Sequence, residues 1–164
     1  MGHCISAVIL KGDFDSEVAN SYDLHGIELS SDLTMFLLDH YYTAFWGKML
    51  DISGELPVNQ PKSIVFPNDL VVADLMTKIT NQAKPLYALI QTDYFGGVGE
   101  QWADVYQGNC LVRDKTTQIN SALSFLGVKG QNGMDEFDTV GLGNYRSMPD
   151  DLDKYVDLVD QIGA

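Results

Sequence analysis

The stretch PLYALIQTDYFGGVGEQWADVYQGNCLV, residues 85–112, decides the fold. Its first eight residues, 85–92, form a continuous run of mainly apolar residues, which is typical of a central strand that is buried on both faces. The glycine-rich turn Tyr94–Gly99 and the second turn Gln107–Asn109 separate this run from two further strand segments. The stretch therefore predicts a three-stranded meander over residues 86–112.

The N-terminal side of the chain adds a strand and two short apolar runs. Residues 3–11 are rich in β-branched and apolar side chains and predict an opening strand. Two short apolar runs, 24–29 and 33–38, flank the turn-forming segment Ser30–Asp32. We also expect a short strand around residues 63–66, because a long structureless loop is unusual in a compact domain.

Four segments repeat apolar residues at the spacing of a helix face and predict about four helices. The first begins near residue 38, and the others begin at side chains that can cap a helix: Asn68, then Asp114 or Thr116, then Ser147. The apolar stripe of the first helix is Leu38, Tyr41, Tyr42, Phe45, Trp46 and Met49. Because strands and helices alternate irregularly, we expect one α+β domain over residues 1–164, with a mixed or antiparallel sheet.

The charge of the chain limits its partners. The 164 residues include 23 Asp and Glu against 10 Lys and Arg, a formal net charge of −13. A surface this negative repels phosphate backbones and anionic lipids, which disfavours binding to nucleic acid or to membranes. The same charge attracts a basic protein partner, although it also serves solubility alone.

The two cysteines, Cys4 and Cys110, lie in apolar stretches and are predicted to be buried thiols that pack as small hydrophobic side chains. Two are too few for a secreted disulfide scaffold. The start of the chain lacks a signal-peptide pattern, and no stretch reaches the 18 apolar residues of a membrane span. The expected location is the cytoplasm.

The turn after the central strand is the first candidate binding site. Asp93, Tyr94, Glu100 and Gln101 surround glycines that allow backbone amides to converge on an anion. The segment lacks the Lys-Ser/Thr pair of a phosphate-binding loop. The alternative is a tight turn between two strands, in which glycine is needed for positive φ.

The acidic segment DEFD, residues 135–138, is the second candidate. Asp135, Glu136 and Asp138 could bind a ligand together with Arg146, but their spacing does not match a calcium loop. The alternative is a solvated structural segment in which Arg146 neutralises one of the carboxylates.

The first predicted helix carries the third candidate, a surface for a protein partner. Its consecutive aromatic residues cannot all face inward, so we expect Tyr42 or Trp46 to be exposed as part of a binding patch. The histidines lack metal-ligand spacing and no nucleophile motif is present, so we expect no catalytic site, no metal and no cofactor.

Two motifs carry a resemblance to a known group of proteins. The segments YFGGVGEQ, residues 94–101, and DEFDTVGLG, residues 135–143, together with INSALSFLGV, residues 119–128, resemble those of a group of small bacterial proteins of unknown function. The likeness covers the C-terminal half of the chain. It implies a bacterial cytosolic protein and brings no activity or catalytic residues with it. In size and acidity the chain is also similar to immunity proteins that neutralise bacterial toxins.

Two functions remain open at this point. The charge and the predicted exposed aromatic residues favour a non-enzymatic protein-binding module of the inhibitor or toxin-immunity type. The alternative is a small-molecule sensor or enzyme with a pocket near the Tyr94–Gln101 loop and the 135–146 segment.

Overall fold

A computed structural model describes residues 2–56, 66–112 and 118–164. The strands are β1 Gly2–Lys11, β2 Ile27–Leu29, β3 Leu33–Leu37, β4 Leu86–Phe95, β5 Val98–Gln107 and β6 Cys110–Leu111. The helices are α1 Ser16–Ser21, α2 His40–Met49, α3 Asp69–Thr80, α4 Ile119–Phe125, α5 Glu136–Thr139 and α6 Lys154–Ile162, with 3-10 turns at Leu142–Asn144 and Asp150–Leu152.

The strands form one six-stranded sheet in the order β2-β3-β1-β4-β5-β6, in which every pair of neighbours is antiparallel. The meander predicted over residues 86–112 is β4-β5-β6, and the opening strand is also confirmed. The two short apolar runs contain β2 and β3, on either side of the turn expected at Ser30–Asp32. The α+β class and the antiparallel sheet are as expected. In the described ranges the four longest helices match the predicted number, and the short helices α1 and α5 add to them.

Helices cover both faces of the sheet, which explains why β4 is apolar along most of its length. Alternate residues of a strand point to opposite faces. On the first face Val8 and Leu89 pack with α1, α2, α3 and α6. On the second face Ala7 and Ile90 pack with α4 and with the segment that includes α5.

Helix α3 begins where the sequence predicts, since the Asn68 side chain accepts a hydrogen bond from the Val71 amide at 3.0 Å. Gly47, which lies within α2, is explained by the same helix. A Cβ atom at Gly47 would lie 3.1 Å from Cγ2 of Val71, so the glycine allows α2 and α3 to approach closely. The caps predicted at Asp114 and Thr116, and residues 63–65 of the predicted strand, lie outside the described residues.

The predicted start of the last helix at Ser147 is wrong. Ser147 instead forms a parallel bridge with Cys4 of β1. Pro149 is extended and the 3-10 turn Asp150–Leu152 follows it, so α6 begins only at Lys154. A contact with the sheet, distant in sequence, thus overrides a local capping pattern.

Asp23 attaches α6 to the segment after α1. Its carboxylate accepts hydrogen bonds from the Tyr155 hydroxyl at 2.7 Å and from Nε2 of His25 at 2.9 Å, and it pairs with Lys154 at 2.7 Å. Burial alone would raise the pKa of Asp23, but the hydrogen bonds from Lys154, Tyr155 and His25 outweigh it and hold this pKa below its ordinary value.

We expect Asp23→Asn to weaken the dependence of stability on pH in the acid range. A carboxyl whose pKa is lowered in the folded state stabilises the protein above its unfolded pKa of about 3.9, and this stabilisation disappears as the pH falls through the folded pKa. Urea unfolding between pH 5 and pH 2.5 measures the effect. The two proteins should differ at pH 5 and converge at the lowest pH, and a constant difference would contradict the role of Asp23.

Candidate functional site

One end of the first sheet face extends beyond the helices that cover the rest of it. The exposed side chains there are Cys4, Asp93, Phe95, Val98 and Glu100, which we call the sheet-end patch. They form two rows across the strands. Asp93 is paired with Cys4 on one side and Glu100 on the other, and Phe95 is paired with Val98 in the next row. The patch therefore places carboxylates beside an apolar tip.

The tip of the β4-β5 hairpin is a tight turn between two strands, which is the second of the two interpretations of this segment given above. Gly96 and Gly97 have φ values of 61° and 81°, in the left-handed region that a two-residue hairpin turn of this hand requires. The turn leaves the flanking pair strongly exposed, with 81% of Phe95 and 78% of Val98 accessible. The most exposed large apolar side chains in the described ranges are thus direct neighbours.

The exposed aromatic residues predicted on α2 are not found there. Tyr42 is completely buried, and its hydroxyl donates to the Tyr22 carbonyl at 2.6 Å. Trp46 is partly buried, and its Nε1 donates to the Tyr155 hydroxyl at 3.3 Å. Helix α6 packs over this face of α2, which the helical spacing within α2 could not reveal. Met49, predicted to share the buried stripe, is 57% exposed.

The alternation of the sheet separates the four candidate residues of the turn segment. Asp93 and Glu100 belong to the sheet-end patch, while Tyr94 and Gln101 belong to the second face. Gln101 donates from Nε2 to the Tyr94 hydroxyl at 2.9 Å, and its Oε1 accepts from the Ile119 amide at 2.8 Å. Gln101 therefore caps the start of α4 from the sheet.

Asp93 and Glu100 lie directly opposite each other as a pair of like charges, an arrangement that destabilises a sheet unless a cation compensates it. In the described part of the chain neither carboxylate forms an ion pair. Arg146, expected to neutralise a carboxylate, instead donates to the Gly2 carbonyl at 3.3 Å.

The acidic segment 135–138 forms the capped start of α5. Asp135 accepts a hydrogen bond from the Asp138 amide at 2.9 Å through Oδ1 and from Nδ2 of Asn120 at 3.0 Å through Oδ2. Asp135 therefore caps α5 and ties it to α4, on the second sheet face. Glu136 is partly buried and Asp138 is exposed. Among the residues with described positions, no group of three His, Cys, Asp or Glu side chains could hold a metal ion.

A polar row lies directly beneath the sheet-end patch and was missed by the sequence analysis. It crosses the first face through Ser6, Gln91 and Trp102. Gln91 is only 8% exposed, and its Nε2 donates to the Ser6 hydroxyl at 3.3 Å. Its Oε1 is buried and has no hydrogen-bond partner among the described residues. An unpaired buried acceptor lowers the stability of the fold by about 1–3 kcal/mol, so the position of this amide requires an explanation.

Both cysteines are free and exposed, against the prediction that they are buried. Cys4 lies at the uncovered end of β1, and Cys110 lies in a two-residue edge strand. Partial burial and the nearby Asp93 carboxylate raise the pKa of the Cys4 thiol above its ordinary value. At neutral pH the thiol therefore stays protonated and is a poor nucleophile.

His3, the neighbour of Cys4, points to the second face. It is buried, with Nε2 3.1 Å from the Leu142 carbonyl and Nδ1 2.7 Å from the Thr92 hydroxyl. Since a carbonyl can only accept, Nε2 carries the proton and Nδ1 accepts from Thr92 when the ring is neutral. His3 therefore holds the 3-10 turn at Leu142 against the sheet.

No protein-family model, curated protein or solved structure matches the chain. No helix in the described ranges is both long and apolar enough for a membrane span.

Proposed function

We propose that this chain is a non-enzymatic protein-binding module, of the inhibitor or toxin-immunity type, that binds a basic partner through the sheet-end patch. The observation that carries the proposal is the exposure of Phe95 and Val98 side by side at the hairpin tip. Adjacent apolar side chains exposed at a tight turn are typical of the anchors that a partner covers.

The carboxylates around this tip favour a basic partner. Asp93 and Glu100 lie one row from Phe95 and Val98, as a polar rim lies beside the apolar centre of an interface. The net charge of −13 adds a long-range field that steers a basic protein towards the chain. Association should therefore slow as the salt concentration rises.

The chemistry of the patch supports binding rather than catalysis. Its one thiol, on Cys4, has a raised pKa, and no histidine belongs to the patch. The two free, exposed cysteines support a reducing compartment, so the proposed location is the cytoplasm.

Capture from an extract of the source cell tests the proposal. The immobilised chain should retain a basic protein, which is then identified, purified and titrated against it. The double variant Phe95→Ser with Val98→Ser should bind the purified partner at least about tenfold more weakly, because it removes the apolar anchors. Increasing the salt from 0.05 to 0.5 M should lower the association rate.

The matched control removes exposed apolar side chains elsewhere. Met49 and Val156 are 57% and 40% exposed on α2 and α6. Serine at both positions should leave the affinity unchanged. Equal affinity of the purified partner for the wild type and for the Phe95 and Val98 variant would refute the proposal, as would the recovery of acidic proteins only.

The alternative function, a small-molecule sensor or enzyme near the Tyr94–Gln101 loop and the 135–146 segment, stays a prediction. Thermal-shift screening against metabolites tests it. A ligand whose stabilisation is lost in Glu100→Gln would favour this alternative over the protein-binding module.

A further inference from the structure

We propose that the buried Gln91 oxygen and the Asp93–Glu100 pair together form a subsite for an arginine guanidinium of the partner. This inference rests on the proposed function and names the chemical group that the patch recognises. It combines two separate observations: a buried acceptor, and a pair of negative charges in the adjoining row of the same sheet face, neither of which has a partner among the described residues.

Gln91 supplies the first observation. Its amide nitrogen is turned to Ser6, so Oε1 is the group that lacks a donor. The bond to Ser6 is long, at 3.3 Å, and therefore weak. In the proposed complex the Gln91 side chain turns outward to meet the guanidinium. A donor from outside would remove the unfavourable free energy of the buried oxygen.

The position of Gln91 puts its side chain on the same sheet face as the acidic pair, in the adjoining row. Gln91 and Asp93 lie two residues apart on β4 and therefore on the same face, about 7 Å apart along the strand. The Asp93 and Glu100 carboxylates need a cation, and Gln91 needs an N–H donor. One group that is both cationic and rich in N–H donors satisfies all three.

A guanidinium fits these requirements better than an ammonium. It has five N–H donors in a planar fork, so it can bind a carboxylate and an amide oxygen together, and it is more weakly hydrated than lysine. Aromatic neighbours also favour arginine. Trp102 is the cross-strand neighbour of Gln91 and is partly buried, and Phe95 extends the apolar surface beyond Asp93 for the aliphatic stem.

The subsite can be tested without knowing the partner. The probe is Nα-acetyl-argininamide, titrated into the ¹⁵N-labelled full chain and followed by NMR. We expect saturable shifts of the Gln91 side-chain amide, the Trp102 indole N–H and the backbone amides of Asp93 and Glu100. The neutral isostere Nα-acetyl-citrullinamide should bind about tenfold more weakly or not at all, and Nα-acetyl-lysinamide should also bind more weakly.

Two variants separate the subsite from general electrostatics. Gln91→Leu should weaken binding of the arginine probe about fivefold or more without changing the charge, and Gln91→Met serves if the leucine variant does not fold. Asp93→Asn with Glu100→Gln should weaken binding about tenfold or more. The control removes two exposed charges at the distant β2-β3 end, with Glu28→Gln and Asp32→Asn, and should leave binding nearly unchanged.

The inference is overturned if the citrulline and arginine probes bind equally, if lysinamide binds as well as argininamide, or if Gln91→Leu has no effect. It is also overturned if the distant control weakens binding as much as the Asp93 and Glu100 variant. These outcomes leave the proposed function in place. That function is tested separately, by the affinity of the purified partner for the double variant Phe95→Ser with Val98→Ser.

Discussion

An alanine substitution at Asp69 is expected to lower the free energy of unfolding by about 3 kcal/mol. Asp69 is the first residue of α3 and is 3% exposed. Its Oδ2 accepts from the Tyr106 hydroxyl at 2.9 Å, and its Oδ1 accepts from the Leu56 amide at 3.0 Å. The substitution removes the acceptor of both donors and also removes a negative charge from the start of a helix, where the helix dipole favours it.

The Tyr106 hydroxyl that donates to Asp69 belongs to a buried side chain. Its ring is completely buried and stacks on Tyr87, with the ring centroids 5.3 Å apart. Burial, followed by the charges of Asp69 and Asp104, raises the pKa of Tyr106 above its ordinary value, so the phenol remains a donor across the physiological range. A buried donor that loses its carboxylate is costly because water cannot easily replace it.

Urea unfolding at pH 7 measures the effect of the Asp69 substitution. Tyr106→Phe, which removes only the hydroxyl, should lower the stability by about 1 kcal/mol. Asp74→Ala is the matched control, because Asp74 lies on the same helix and pairs at the surface with Lys78. It should cost no more than about 0.5 kcal/mol. An equal loss of stability for Asp69→Ala and Asp74→Ala would contradict the buried role of Asp69.

The elements that the sequence predicts correctly are those set by short-range patterns. The apolar run before Gln91 needs two covered faces, and Gly96 and Gly97 supply the turn that reverses the chain. Asn68 caps α3 through a bond three residues away. Ser147 carries an equally good local pattern, but its contact with Cys4 depends on residues 143 positions apart, which no local pattern contains.

The sequence predicts Asp93, Tyr94, Glu100 and Gln101 as one group. Period-2 alternation in a strand already places neighbouring residues on opposite faces, so only Asp93 and Glu100 belong to the proposed patch. The exposure of Phe95 could have been found from its place next to a two-residue turn. The burial of Tyr42 could not have been found from local sequence, because it depends on Tyr155 of α6, whose ring lies 5.1 Å away.

The patch depends on an exact backbone fit at Gly99, and Gly99→Ala is expected to weaken partner binding about tenfold or more. A Cβ atom at Gly99 would lie 1.9 Å from the Asp93 carbonyl oxygen and 2.7 Å from Cα of Tyr94. Both obstacles are backbone atoms, so the strands have to separate at this row. Separation moves the facing side chains of Asp93 and Glu100 and the apolar pair beyond them, and these side chains form the proposed interface.

The damage from Gly99→Ala should stay local, because the helix-covered core begins further along β5, at Ala103. We expect opening of the hairpin end to become easier by about 2 kcal/mol, so that amide hydrogen exchange at the Phe95–Val98 end rises roughly 30-fold while exchange in the core of β4 changes little. Gly143→Ala is the matched control, because a Cβ atom there meets nothing within 4 Å. Normal exchange and normal binding in the Gly99 variant would show that the hairpin geometry does not set the interface. Lost binding with an intact core would show that partner binding depends on the geometry of the two rows of the sheet-end patch.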